Sequence, residues 1–410
     1  MGILADTPDC NSTARAELEF LRYGRRLVGT SRAEQPFSVG AASIPCALVV
    51  GNYVSSVEFI DSLCCLAVRQ GASDIFLHAE QPPQFRVNGE LSTIGNVAVH
   101  GEELESLFPI CGATLAALDY DGSYVASNGT RFRVNLFRSL FRYGAVLRPI
   151  KTEVPDLATL GLPADLLASW VVRPNGLILV TGPTGSGKST TLASCLEWLN
   201  QNYHRHIVTI EDPIEYLFSP AKCLFTQREV GSDTSTFAEG LRRSLRQSPD
   251  VILLGEIRDS ASAVTALQAA ETGHLVLATL HSSNVLDSFE RLSRLFEVAE
   301  RDGIFQLLSQ QLIGLLCQKL VAAVPDGRAL IVEHMENQAV TRKWIAEGKF
   351  RDLSDFVGKG DNPTNTTFLD SLVGMVHAGR VTEATALQAA TNPRELQRRL
   401  RGVASTSTIG

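Results

Sequence analysis

The stretch Leu177-Ile-Leu-Val-Thr-Gly182-Pro-Thr-Gly-Ser-Gly187-Lys188-Ser189-Thr190-Thr191 decides the fold class of this chain. Its apolar start reads as a buried strand, its glycine-rich centre as a tight turn, and Thr190 onward as a helix. Gly182 to Ser189 satisfies the phosphate-loop pattern G-x-x-x-x-G-K-[ST] at every fixed position. The physical demand behind that pattern is specific. Glycines at 182, 185 and 187, spaced by Pro183, Thr184 and Ser186, let backbone N–H groups curl around a β-phosphate. Lys188 reaches the β- and γ-phosphates, the Ser189 hydroxyl binds Mg²⁺, and the helix opening near Thr190 adds the positive end of its dipole. A flexible Gly/Ser loop before an ordinary helix is the bland alternative, and a strand on one side with a helix on the other argues against it. The stretch predicts a nucleoside triphosphate site.

Working outward, strands and helices alternate. Residues 207–210 read as a strand ending in Glu211-Asp212-Pro213-Ile214-Glu215, residues 233–247 as a capped helix, and residues 251–254 as a strand ending in Gly255-Glu256. A helix over 260–271 and a strand over 275–280 follow, with His281 at the strand's end. Acidic and imidazole groups thus fall at the carboxyl ends of strands, where α/β sheets hold ligands. Phosphoryl transfer needs a cradle, a metal, a water-orienting group and extra positive charge. Glu211 is read as the residue that orients or deprotonates the attacking water. Glu256 follows an apolar strand as a second nucleotide motif should, but Gly255 stands where an aspartate is expected. Glu256 is therefore assigned to Mg²⁺ through water. His274 and His281 bracket one strand on opposite faces and so are not paired metal ligands. One suits a γ-phosphate sensor and the other a structural role, and the residues alone do not say which. Arg242 and Arg246, four apart on a helix, read either as an exposed basic stripe or as groups reaching a neighbouring subunit's phosphates.

Before this region, residues 57–70 keep helical spacing and 74–78 turn into a strand. Asn88-Gly89 and Asn128-Gly129 mark two hairpins, because such turns require positive φ. Hairpins mixed with helices predict a small α+β domain over 51–150. Arg131 and Arg133 share one strand face. With Arg148 they form either a solvated face or a cationic edge turned toward the nucleotide. Three prolines within 149–163 predict a linker, taken as 151–163, ahead of an ATPase domain over 164–325. Past Val285 helical spacing dominates over 285–296 and 304–320. The chain after Val324-Pro-Asp-Gly327 reads as short helices, a helical region over 326–410. Residues 1–50 form an extension in which Arg22, Arg25 and Arg26 are read as the solvated side of a short helix or a small docking face.

Composition bounds the rest. A 410-residue chain with 44% hydrophobic and 20% charged residues is ordinary for a globular protein of two or three domains. The net charge of −7 argues against a nucleic-acid translocase. Eight cysteines without any C-x-x-C pair predict free thiols in a reducing compartment. No apolar run approaches the roughly 20 residues of a membrane helix. The expected location is cytoplasmic.

Five boxes in order carry a resemblance: 182–191, 210–215, Gln227-Arg-Glu-Val-Gly231, Asp250 to Asp259, and Ala270 to His281. Together with Gly71-Ala-Ser-Asp-Ile and Arg131-Phe-Arg-Val-Asn135 they resemble the PilT/GspE secretion-ATPase superfamily over roughly residues 55–400. The resemblance implies a RecA-like ATPase domain after a PAS-like domain, ATP with Mg²⁺ as ligands, and a homo-hexameric ring. It further implies an inner-membrane platform protein as partner and a peripheral place at the inner membrane. It places Glu211, Glu256, His274 and His281 in the family's boxes, with His281 taken as the site histidine, and tips the five arginines toward function. A tetracysteine module after the ATPase core marks assembly-type members, and here Cys317 is the only cysteine past 223. Ala339 to Glu347 resembles the retraction-type signature helix with a divergent Arg342-Lys343-Trp344 core. The implied role is a retraction-type pilus motor, with the type IVB secretion and conjugation branch as alternative.

Overall fold

A computed structural model describes residues 56–358 and 364–402. The expectations for the first 50 residues lie outside this range. The chain divides into two units at Ile150/Lys151.

The first unit is a six-stranded antiparallel sheet in the order β3-β2-β1-β6-β5-β4. Its strands are β1 (Asp74–His78), β2 (Gln84–Val87), β3 (Glu90–Thr93), β4 (Asp119–Val125), β5 (Arg131–Ser139) and β6 (Arg142–Pro149). Asn88 and Gly89 adopt positive φ in the β2–β3 turn, as the Asn-Gly dipeptide predicts. Along β5, buried Phe132, Val134 and Leu136 alternate with half-buried Arg131, Arg133 and Asn135. One face therefore joins a core with helices α1 (Ser56–Arg69), α2 (Gly101–Glu105) and α3 (Leu107–Ile110). His78 stacks edge-on against Phe137, in keeping with a structural role.

The second unit holds helix α4 (Ala164–Val171) and a seven-stranded sheet, order β13-β12-β7-β11-β10-β8-β9. Strands β7 (Gly176–Thr181), β8 (His206–Glu211), β9 (Leu224–Glu229), β10 (Val251–Leu254) and β11 (Leu275–Leu280) run parallel. β7, β10 and β11 are buried at every position, because helices α5 (Lys188–Asn202), α6 (Phe237–Ser244) and α7 (Ser260–Glu271) lie between them in the chain and cover the sheet. Helix α6 is capped by Thr236 and passes into a 3₁₀ turn over Leu245–Gln247, so the expected helix 233–247 begins later.

Two expectations fail beyond β11. Helix α8 (Val285–Arg294) forms as expected, but the helix expected over 304–320 is α9 (Arg301–Gln311) followed by strand β12 (Leu312–Ala322). The run Leu312-Ile-Gly-Leu-Leu-Cys317 is buried throughout, so its period is invisible; pairing with β7 makes it a strand. Gly314 is required there, since a Cβ would lie 2.4 Å from the Trp170 ring. The chain after Gly327 then opens as strand β13 (Arg328–Glu336), not a helix, in a hairpin with β12. The Asp326-Gly327 dipeptide was the turn signal. Helices α10 (Ala339–Ala346), α11 (Phe350–Gly358), α12 (Phe368–His377), α13 (Glu383–Ala389) and α14 (Pro393–Leu400) follow and share the core of the parallel sheet.

Residues 151–163 are bound into the second unit. The Lys151 N–H donates to the Glu215 carbonyl, Ser194 donates to the Pro155 carbonyl at 2.7 Å, and Leu157 and Leu162 are buried in its core. One residue earlier, the Ile150 N–H donates to the Arg131 carbonyl of the first unit.

Candidate nucleotide site

Strand β7 delivers the chain into the phosphate loop at Gly182, which has φ of 149°. A Cβ there would sit 2.4 Å from the Gln318 carbonyl oxygen and 2.5 Å from Ser186 Oγ, so only glycine fits. Gly185 and Gly187 have φ of 77° and 94°, with open space around them. What they provide is left-handed backbone, not room. No side chain caps the N-terminus of α5, and the Ser186 hydroxyl is buried without a partner. Uncapped amides, a helix dipole and an orphaned hydroxyl together fit an anion.

Lys188 is 8% exposed, and its Nζ donates to the carbonyls of Gly182 at 2.9 Å and Pro183 at 3.1 Å. Burial holds its pKa below the ordinary lysine value, opposed by Glu256 and Glu215. A phosphate group would relieve that penalty. Ser189 Oγ donates to Glu215 at 2.9 Å, Thr190 meets the Tyr216 hydroxyl at 2.9 Å, and Gln318 donates to Thr191 at 2.7 Å.

Parallel register assembles the acidic side. Ile210 pairs with Leu254, and Leu280 with Thr181, so Glu211 ends its strand and Glu256 and His281 follow theirs, all beside the loop. His281 bridges them, with Nδ1 at 3.5 Å from Lys188 Nζ and Nε2 at 3.4 Å from Glu256. Burial, with Lys188 adding to it, lowers the His281 pKa and keeps the ring neutral near pH 7. Glu256 also accepts from Arg258 Nε at 2.7 Å, and Arg258 reaches on to Asp212 at 2.9 Å. Glu211 differs. It is 9% exposed, Oε1 has no partner, and burial pushes its pKa up to about 7. Gly255 packs against that strand end: a Cβ would lie 3.2 Å from the Ile210 carbonyl oxygen and 3.3 Å from Glu211 Cα. A side chain at this position would require those neighbours to give by a few tenths of an ångström.

His274 is at the opposite end of β11, where Nδ1 meets the Ala269 carbonyl at 3.0 Å. His281 is thus the histidine beside the phosphate loop, the one that the family resemblance implies. A cavity of about 740 Å³ joins the loop, Glu211 and Glu256. That is within the range of small-molecule sites. Lys151, Arg258, Arg328 and Arg380 also line it, none of them singled out from sequence. Only Arg258 had a signal, two residues past Glu256.

The remaining expected residues lie elsewhere. Arg131, Arg133 and Arg148 share one sheet face of the first unit, with Arg133 opposite Arg148. Arg131 donates to Ser123 at 3.2 Å, Arg133 lies 3.6 Å from Asp121, and Arg148 makes two bonds to buried Asp74 at 2.8 and 2.6 Å. Arg242 is exposed and pairs with Glu239 at 3.0 Å; Arg246 is exposed in the 3₁₀ turn. No group of three or more His, Cys, Asp or Glu residues among those described could hold a metal. Mg²⁺ commonly takes few protein oxygens and completes its shell with phosphates and water. The Ser189–Glu215 pair fits such a site, and Glu215 is an acid that the sequence reading did not assign to the metal.

The fold and site define a mixed α/β protein with a phosphate-binding loop at the carboxyl edge of a parallel sheet. The chain belongs to the Type II/IV secretion system protein family, whose description matches residues 54–351. The type IV pilus retraction ATPase PilT of Pseudomonas aeruginosa is 37% identical over 340 residues, covering 82% of this chain and 98% of that protein. The crystal structure of the pilus retraction motor PilT with bound ADP superposes with a TM-score of 0.73 at 35% identity, covering 83% of this chain and 99% of that one. The Legionella pneumophila ATPase DotB superposes with a TM-score of 0.71 at 29% identity, covering 84% and 96%. No described helix is long and apolar enough to cross a membrane.

Proposed function

We propose that this protein is an ATP-hydrolysing motor of a type IV pilus, retraction type. In this reading it works as a cytoplasmic homo-hexamer on an inner-membrane platform protein. One observation carries the catalytic part: the phosphate loop, a buried Glu211 whose Oε1 has no partner and whose carboxyl pKa is pushed up to about 7, and a charge-paired Glu256 open into one cavity. Residues 51–150 act as the PAS-like domain and 164–325, extended by strand β13, as the RecA-like ATPase domain, with the helices from Ala339 to Leu400 as the helical region.

The two carboxylates divide the chemistry. Glu256, held by Arg258 and His281, orients its surroundings. Glu211 is the base. Water oxygen attacks the γ-phosphorus, the bond to the ADP oxygen breaks, and the water proton passes to Glu211 Oε1. Lys188 leaves two backbone carbonyls for phosphate oxygens, and neutral His281 lies beside it as the γ-phosphate sensor. Ser189, with Glu215 and Glu256 nearby, would hold Mg²⁺, which supplies charge neutralisation to the phosphates. Arg131, Arg133 and Arg148 would approach the triphosphate from the small domain, and Arg242 and Arg246 from a neighbouring subunit. Because Ile150 and Lys151 are anchored in different units, movement of the small domain would concentrate at that one junction.

The type IVB secretion reading is favoured by the likeness to DotB; the missing tetracysteine module fits the retraction branch. Turnover of purified protein with ATP and Mg²⁺, compared with Lys188→Ala, tests the enzyme. Restoration of twitching in a retraction-deficient host tests the role. Equal turnover by the variant would overturn the first, and absent twitching with full turnover the second.

A further inference from the structure

The hairpin joining β5 and β6 has a two-residue turn, Leu140-Phe141, closed by the Ser139–Arg142 pair. Both turn residues have positive φ, 51° and 63°. Such turns favour Asn-Gly, because large side chains in left-handed backbone are strained. The turn's apolar side chains are nonetheless in solvent, Leu140 at 89% and Phe141 at 102% relative exposure. Two more exposed leucines are tied beside them. The Arg138 N–H donates to the Leu118 carbonyl, and the Arg138 guanidinium donates to the Leu115 carbonyl at 2.7 Å. The basic residues Arg138 and exposed Arg142 flank the turn, with Asp119 the acidic residue next to Leu118.

We propose that this tip inserts into the surface of an anionic phospholipid bilayer, giving the protein a lipid contact of its own. Three observations favour lipid over a protein partner. The tip is convex and fully exposed, so a protein would need a matching pocket, whereas the headgroup region accepts apolar side chains without one. Arginines flank the apolar residues, the charge order that matches anionic headgroups. The whole chain carries −7, so any attraction to such a surface is local to the tip.

Co-sedimentation of the full chain with phosphatidylcholine vesicles, with and without phosphatidylglycerol, tests it. Wild type should sediment with the anionic vesicles and not the neutral ones. The double variant Leu140→Asn with Phe141→Gly removes the apolar tip while installing the favoured turn. It should unfold no earlier than wild type, keep its ATP turnover, and lose binding by about ten-fold or more. Arg142→Glu should lose about ten-fold. As an independent readout, Phe141→Trp should show a fluorescence blue shift on anionic vesicles, relative to wild type. Failure of wild type to sediment, full binding by the double variant, or no shift at residue 141 would each overturn the proposal. So would a double variant that binds vesicles normally but loses self-association, which would make the tip a contact between copies. None of these outcomes depends on ATP hydrolysis.

Discussion

The two sheets obey opposite rules. In the first unit, β5 alternates buried Phe132, Val134 and Leu136 with Arg131, Arg133 and Asn135, so one face is core and the other displays charge. In the second, β7, β10 and β11 are buried at every residue, and chemistry can emerge only where they end. The lesson is about neighbours. Arginines on the open face find acids within their own sheet, Arg148 with Asp74 and Arg133 with Asp121. Residues at the strand ends meet groups from distant chain segments, as Lys188 meets His281 and Arg258 meets Asp212.

If the contrast holds, damage at strand ends removes activity, while damage on the open face first costs stability. Lys188→Ala should lower ATP turnover at least about a hundred-fold with little change in thermal unfolding. Steady-state phosphate release checks it. Glu211→Gln should lose about a hundred-fold and change the pH profile. With the carboxyl near 7, wild-type turnover should rise as pH increases through that value, and the variant should lack this limb. Linkage supplies a second sign. The native pKa is raised above the ordinary 4.5, so the native state binds more protons than the unfolded one between them. The stability contribution is full below about 4.5 and is lost as pH rises to about 7. Denaturant midpoints across that window should show the loss, and the glutamine variant should not.

Gly255→Asp sharpens the contrast from the steric side. Restoring the aspartate expected of the second nucleotide motif should destabilise the second unit by about 1–3 kcal/mol and leave turnover no higher. Urea unfolding and a phosphate-release assay would measure both. On the open face, Arg148→Ala removes the two bonds to Asp74, leaving Ser73 at 2.9 Å and Arg86 at 3.9 Å. It should destabilise the first unit by about 1–2 kcal/mol, read as an earlier thermal transition. A drop in turnover without that loss would break the comparison. The smallest effect is expected for Arg242→Ala. Its exposed pair with Glu239 is screened by solvent and contributes little to stability. Rings mixed with Glu256→Ala subunits should nevertheless recover turnover if Arg242 acts across a subunit boundary.

Much of this was legible where the chain is its own context. The phosphate loop, α5, β8, β10, β11 and α7 could be read because an apolar run, a turn residue and a cap sit in sequence order. Strand β9 could not. It forms the sheet edge, half-buried along most of its length, and Thr226-Gln-Arg-Glu229 has no apolar period. The β12–β13 hairpin was lost for the opposite reason: β12 is so fully buried that helix and strand spacing coincide.

The site divides along the same line. Local chemistry determined that Gly182 to Thr190 would make a phosphate cradle, because curling backbone amides around an anion needs only glycine, lysine and a helix within a few residues. Glu211, Glu256 and His281 were placed near it by their position after strands. Their different states were not readable, since a carboxyl's pKa depends on what surrounds it and not on its neighbours in sequence. Only the folded chain puts Arg258 on Glu256, leaves Glu211 Oε1 unpartnered, sets Ser189 against Glu215, and brings His281 between Lys188 and Glu256. Only the fold, likewise, brings Lys151, Arg328 and Arg380 to a cavity begun at residue 182. Contacts between separate chain segments leave no periodic trace in a sequence; they exist only after the sheet has set its register.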